Sequence, residues 1–337
     1  MNYSGIDLHS NNCVVLVSDE TDRILCKRRV PNELETVLRL LEPYRGELAG
    51  VVVESTYNWY WLVDGLQTAG YRVHLANTAA IKQYEGLKHS GDETDAGHLA
   101  QLLRLGILPT GYICPPRQRA VRDLARKRLQ LIRSRTAHIL AVENIVARQT
   151  GGRMNAQAVK RLDLDELRKL GQLEEVRLAL SANVAVIQTL TAQINKLEAR
   201  LRSEVAPRAE FKFLTTAPGI GEILAATIML ETGTVERFAA VGNFASYARC
   251  VASKRVSNGR KKGEGNVKNG NRYLAWAFIE AANFARRYCP EAKRFYERKK
   301  ARTNMIVATK ALAHKLARAC YHMLKHEQPF DVKRCFA

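Results

Sequence analysis

An α/β first domain followed by an almost entirely helical remainder is what this sequence predicts, and three observations carry the prediction. Short β-rich runs alternate with helical spacing over the first ~110 residues. Two long helical patterns fill residues 117–205, the second with an unbroken apolar seam. After Pro207 the patterns stay helical, interrupted by one Gly- and Lys-rich stretch.

The first domain reads in order. "YSGIDLH", "NCVVLVSD" and "RILCKRRV" are three β-rich runs separated by polar turns, and they predict an antiparallel meander. "ELETVLRLLEPY" has helical spacing, and "LAGVVVEST" is the continuous apolar run of a buried central strand. The helix "NWYWLVDGLQTAG", the strand "YRVHLAN" and a helix from Asp92 complete it. Three strands, helix, strand, helix, strand, helix is the order of a ribonuclease H-like fold. The first domain is therefore assigned to residues 1–116.

The middle segment, 117–205, starts with an Arg-rich helical pattern, "RQRAVRDLARKRLQLIRSRTAHILAVENIVARQTG". The second pattern places Leu173, Val176, Leu180, Asn183, Ile187, Leu190, Ile194, Leu197 and Leu201 in strict 3,4 alternation, with Asn183 the one polar member. A heptad held over about four repeats predicts a coiled coil, and one Asn in a seam sets register or partner number. Self-association through this seam is the expectation. The competing arrangement is an antiparallel pair within one chain, burying the seam against the 117–149 helix.

The last segment, 206–337, opens with "FKFLTTAPGIGEILAATIMLETG". Pro218-Gly219-Ile220-Gly221 between helical runs reads as a helix-hairpin-helix, with N–H groups opening the second helix toward a phosphate. A plain packing corner is the alternative for Gly219 and Gly221.

Charge narrows the function. The chain carries 53 Lys and Arg against 33 Asp and Glu, a net of +20. Residues 1–120 have a net of −2, so residues 121–337 carry +22. That asymmetry favours a polyanion, most plainly nucleic acid. Seven cysteines without a C-x-x-C pair argue against a disulfide framework or zinc ribbon. The chain opens without a signal-peptide pattern, and a cytoplasmic, nucleoid-associated protein is expected.

Against this basic background, carboxylates gather in the first domain. Asp7 lies in the first strand, Glu54 ends the apolar strand, and Asp92 and Asp95 head the helix of "DETDAGHLAQLL". Neighbouring first and fourth strands would bring Asp7 beside Glu54, and the helix would add Asp92 and Asp95 on one face. Four such carboxylates repel unless a hard cation sits among them, and oxygen ligands select Mg²⁺ or Mn²⁺. Taken singly, Asp92 or Asp95 would be read as a helix cap.

The second constellation is "ASKRVSNGRKKGEGNVKNGNRYLAWAFIEAANFARRY". Lys254, Arg255, Arg260, Lys261, Lys262, Lys268 and Arg272 predict a flexible cationic loop that grips a phosphate. Ser257 is the best-placed hydroxyl for nucleophilic attack, with Ser253 second. The alternative is a basic loop that holds DNA backbone with no covalent part. His314, farther on, is read as a surface or phosphate contact.

Together, "GIDLH", "VVVEST", "DETDAGHLAQLL", "APGIGEILAATI" and above all "SNGRKKGEGNVKNGNRYLAWAFIEAANFA" resemble the bacterial insertion-sequence transposases with a RuvC-like DEDD domain and a serine-bearing transposase domain, the bridge-RNA-guided recombinases. The resemblance covers essentially the whole chain. It implies Asp7, Glu54, Asp92 and Asp95 as metal ligands and Ser257 as a nucleophile that forms a transient phosphoserine with DNA. It implies donor and target DNA, a non-coding guide RNA, and a dimer or tetramer in which one chain's carboxylates meet another's serine. The Ser-Asn-Gly context and the Asn-Val-Lys-Asn-Gly-Asn run depart from the Ser- and Gly-rich context and Ile-Ser-Lys-Arg-Gly run of many members, which keeps Ser253 in play. The competing function is a RuvC-like metal-dependent nuclease that uses water.

Overall fold

A computed structural model describes residues 1–81, 92–170, 173–251, 255–263 and 269–337. The chain forms two compact units, Met1–Pro116 and Arg117–Ala337.

The first unit contains β1 (Asn2–Leu8), β2 (Asn12–Ser18), β3 (Ile24–Pro31), α1 (Leu34–Leu41), β4 (Leu48–Glu54), α2 (Tyr60–Thr68), β5 (Val73–Ala76) and α3 (Asp92–Arg104). The sheet order is β3-β2-β1-β4-β5. β1, β2 and β3 pair antiparallel, whereas β4 runs parallel to both β1 and β5. This is the mixed sheet of a ribonuclease H-like domain, reached from the predicted strand order.

Alternation along the strands sorts the two faces. Ile6, Leu8, Val15, Val17, Val51 and Val53 bury themselves with Val37 and Leu41 of α1 and Leu62 and Leu66 of α2. On the opposite face, Val14 and Leu16 pack with Ala96 and Ala100 of α3, and Val52 packs with Leu99. Asp7 and Glu54 share the strand parity of this α3 face. Gly5 lets α3 approach: a Cβ there would lie 1.9 Å from the Ala96 carbonyl oxygen and 2.9 Å from the Ala100 nitrogen.

The second unit opens with α4 (Pro116–Thr150), α5 (Ala156–Arg161), α6 (Leu164–Leu170) and α7 (Glu174–Val205). α4 and α7 run antiparallel, as shown by Arg128 with Glu198, Arg135 with Thr191 and His138 with Asn183. This corrects the expectation that the seam is an intermolecular surface. Leu180 and Ile187 are buried within the chain against Ile139, Val142 and Val146 of α4 and against α5 and α6. Periodicity reports an apolar stripe but not what covers it. Asn183, the polar seam member, accepts at its Oδ1 from His138 Nδ1 at 2.9 Å, so its partner is also intramolecular.

Next come α8 (Ala209–Leu214), α9 (Glu222–Thr232), α10 (Val241–Tyr247), the hairpin strands β6 (Arg255–Ser257) and β7 (Arg260–Gly263), α11 (Arg272–Tyr288), α12 (Pro290–Arg302), α13 (Met305–His326) and α14 (Val332–Phe336). Segments 117–205 and 206–337, predicted as separate, share one core: Ala125, Leu201 and Val205 pack with α9, α11 and α13. Their union is reinforced by an ion pair on the buried Glu231 carboxylate. Arg126 of α4 donates from Nε and Nη2 to the Glu231 carboxylate of α9 at 2.6 and 2.7 Å, and Asn271 donates to the same carboxylate at 2.6 Å. Burial opposes the charge on Arg126, but the Glu231 hydrogen bond together with the charges of Glu231 and Asp123 outweighs it and raises the guanidinium pKa.

Candidate active site: the carboxylate cluster and the serine hairpin

β1 and β4 are parallel neighbours in the register Ile6 with Val53, so the next residues, Asp7 and Glu54, stand side by side at the strands' C-terminal ends. Asp7 is buried and Glu54 half-buried. Burial pushes the Glu54 carboxyl up to about 8, helped by its hydrogen bond to Asp7 and by the negative charges of Asp7 and Asp95. Glu54 thus keeps its proton and donates it to Asp7. Asp95 acts on the pair because Gly5 brings the first turns of α3 down onto β1. The structure thus sets Asp7 beside Glu54, and Asp95 at the head of α3 adds its negative charge to Glu54. The fourth predicted carboxylate, Asp92, has its side chain outside the described residues.

Sequence reasoning missed His9. Its Nε2 lies 3.2 Å from Asp7 Oδ2, and its carbonyl oxygen accepts from the side-chain amides of Asn32 and Asn58 at 3.0 and 2.9 Å. The histidine of "GIDLH" was visible, but its partner two residues earlier is met only after β1 ends and the chain turns.

Carboxylate oxygens are the donor type that a hard divalent cation takes. The proton on Glu54 marks a place where positive charge is needed. Among the described residues, no three His, Cys, Asp or Glu side chains form a ready-made ligand group.

The Ser257 region corrects another expectation. Residues 255–263 form a tight β-hairpin, with Ser257 paired to Arg260 across the two-residue turn Asn258-Gly259. Both turn residues have positive φ, 49° and 71°. Asn-Gly at this spacing is a strong hairpin signal, obscured here by the surrounding charges. Ser257, Arg260 and Lys262 are exposed. Ser253, Lys254 and Lys268 lie outside the described residues, as do the side chains of Arg255 and Lys261.

The base of the hairpin segment is clamped. Arg249 donates from Nε and Nη2 to the Gly270 carbonyl oxygen at 3.0 and 2.7 Å, and the Asn271 N–H donates to the Tyr247 carbonyl at 2.6 Å. Gly270, at φ 91°, is pressed so close that a Cβ would meet the Tyr247 oxygen at 2.5 Å. Asn271 caps α11 by accepting from the N–H groups of Tyr273 and Leu274. Arg272 follows at the exposed start of α11, where its Nη2 donates to the Tyr273 hydroxyl.

Comparison with known proteins resolves the assignment. A DEDD transposase family model for IS110 elements matches residues 4–148, and a model described as the transposase IS116/IS110/IS902 family matches residues 212–297. The chain belongs to the IS110-type DEDD transposases.

A "Probable family 20 transposase" of Pseudomonas aeruginosa is 24% identical over 339 residues, covering 96% of each chain. The "Insertion element IS110 uncharacterized 43.6 kDa protein" of Streptomyces coelicolor is 30% identical over 137 residues, 39% of this chain and 32% of that one. The enzyme is a DNA transposase/recombinase, and its DEDD domain implies use of a divalent metal. In the transposase, the carboxylates belong to the first unit and the serine hairpin to the second. No helix among its described residues is long and apolar enough to cross a membrane.

The two hairpin glycines of the transposase separate. Gly219, at φ 81°, is a packing position: a Cβ would lie 2.3 Å from the Ala281 oxygen and 2.5 Å from the Ala285 nitrogen of α11. Gly221 has open space beside it. α9 opens with Glu222, ion-paired to Arg202 at 2.8 Å, which weakens the predicted phosphate grip there. His314 is half-buried, and burial, then Arg318, lowers its pKa.

Proposed function

We propose that this transposase cuts and rejoins DNA strands through Ser257, with Asp7, Glu54, Asp92 and Asp95 holding Mg²⁺ or Mn²⁺. The observation that carries the reading is the β1–β4 register, which sets Asp7 beside Glu54 at the strand ends on the face that α3 covers. Burial, with the charges of Asp7 and Asp95, pushes the Glu54 carboxyl up to about 8. When bound, the ion supplies Lewis-acid polarisation of a phosphodiester. The chain's own residues do the rest.

The Ser257 hydroxyl attacks phosphorus, losing its proton as the serine oxygen–phosphorus bond forms. The bond from phosphorus to one DNA oxygen breaks, and that oxygen leaves with a proton as a free hydroxyl. In the second step a hydroxyl of the incoming strand attacks the phosphoserine and releases Ser257 unchanged. Bond number is conserved, so rejoining needs no external energy source. The clamped base formed by Arg249, Gly270 and Asn271 fixes where the hairpin emerges, and Arg260 and Lys262 supply charge beside the serine. Gly219 and Gly221, with Lys254, Arg255, Lys261, Lys268 and Arg272, are proposed to contribute to nucleic-acid contact, Gly219 by seating the α8–α9 turn against α11.

The family resemblance and the net charge of +22 over residues 121–337 support two further parts of the reading. A non-coding guide RNA selects donor and target DNA, and the working assembly is a dimer or tetramer. Because the seam is covered within the chain, self-association uses another surface. Strand cleavage by Ser257→Ala and Glu54→Gln tests the mechanism. Loss in both variants is expected, whereas full cleavage by Ser257→Ala would point to a nuclease that uses water.

A further inference from the structure

A cavity of about 300 Å³ lies between α13, the turn after it and α14, distant in sequence from both the carboxylates and the serine. Lys315, Arg318 and His322 line one side of it, and Arg334 lines another. The first three fall at i, i+3 and i+7 of α13, which is one helix face. Among the described residues, Arg318 and Arg334 have no ion-pair partner. The one acidic side chain in the wall, Asp331, is engaged locally: its Oδ1 accepts from the Arg334 backbone N–H at 3.0 Å.

Two features make this a built site rather than a scatter of surface cations. The Lys315 ammonium is held over the rings of Phe295 and Phe336, 5.2 and 5.8 Å from their centroids. The His322 ring is fixed by stacking on His326 at 5.9 Å and by an edge contact with Tyr321. Its Nδ1 is enclosed without a protein partner. An enclosed lone pair is less costly than an enclosed N–H, which favours the tautomer with its proton on Nε2. After burial, the groups that depress the His322 pKa are Arg334, His326, Arg318 and Lys325, so every charged neighbour acting on it is positive.

We propose that this cavity binds a phosphate group, held by Arg318 and Arg334 with His322 and Lys315 beside them. Guanidinium forks match phosphate oxygens in geometry and charge. The volume admits one phosphate with its attached sugar, not a duplex. The phosphate comes either from a nucleic-acid backbone threading this end of the second unit or from a free phosphate monoester. The inference stands apart from the strand-transfer reading, since none of its residues belongs to the carboxylate cluster or the serine hairpin.

The test follows the His322 imidazole resonance of the full chain by NMR while inorganic phosphate is added at constant ionic strength. A saturable shift is expected, weakened about tenfold or more in Arg318→Gln/Arg334→Gln and largely restored in Arg318→Lys/Arg334→Lys. Equal thermal melting of the three proteins shows that the fold is intact. A thymidine dinucleotide is then added. Displacement of phosphate identifies a backbone site, and its salt slope should fall by about 1 in the Gln variant. Displacement by a nucleoside monophosphate alone identifies a monoester site. Absence of a saturable shift, or an equal shift in the Gln variant, overturns the proposal. Loss of cleavage in Glu54→Gln with phosphate binding retained would leave it standing.

Discussion

The Glu54 carboxyl is hydrogen-bonded to Asp7 on the adjacent parallel strand and keeps its proton up to about pH 8. An unfolded chain releases that proton near the ordinary carboxylate value. The folded state therefore binds more protons between about 4.5 and 8, and stability of the metal-free protein falls as pH rises through that window. Glu54→Gln removes the penalty. Because Glu54 is only half-buried and solvent screens it, the variant should exceed the parent by about 1 kcal/mol at pH 8.5 and match it near pH 4. Denaturant unfolding at both pH values reads the difference. Mn²⁺ should raise the parent's melting temperature at pH 8 and leave the variant's nearly unchanged.

Gly5 positions the cluster without touching substrate. A methyl group there meets α3 backbone, which cannot rotate aside. Gly5→Ala should cost about 1–3 kcal/mol and weaken Mn²⁺ binding at least tenfold, measured by thermal melting and calorimetry. A stable variant with unchanged affinity would mean that α3 can shift without moving Asp95.

Glu231 is buried and Arg126 partly so, so removing Arg126 strands the carboxylate. Arg126→Met should lose about 3–5 kcal/mol, and Arg126→Met/Glu231→Gln should recover at least half. Chemical unfolding of both variants checks this. Gly219→Ala should also destabilise the second unit, through its contact with α11, while Gly221→Ala should melt like the parent.

The seam makes a contrast. Ile187 is almost fully buried against α4, whereas Leu178 on the same helix is 61% exposed. Ile187→Asp should lower the melting temperature and leave the assembly size of the folded fraction unchanged. Leu178→Asp should melt like the parent. Sedimentation and calorimetry separate the two effects.

These contrasts show where sequence reading works and where it stops. Strand order and the parity of Asp7 and Glu54 are local patterns, so the sheet and the first half of the cluster were legible in "GIDLH" and "VVVEST". The approach of α3 depends on a glycine whose reason is a helix about 90 residues later. The heptad identified an apolar stripe, but the stripe is equally satisfied by a second copy or by α4. Arg126 and Glu231 are 105 residues apart, and no periodicity joins them. At Asn258-Gly259 the hairpin signal was present, and the charges around it drew the reading toward an open loop.

The most direct test of strand transfer through Ser257 is a trapping assay. The protein, Mg²⁺, labelled donor and target DNA and the RNA from the element's flanks are incubated, then denatured, and any protein–DNA adduct is mapped by peptide mass. DNA attached at Ser257, and absent in Glu54→Gln, is the predicted result. Strand cleavage with no adduct, undiminished in Ser257→Ala, would contradict it.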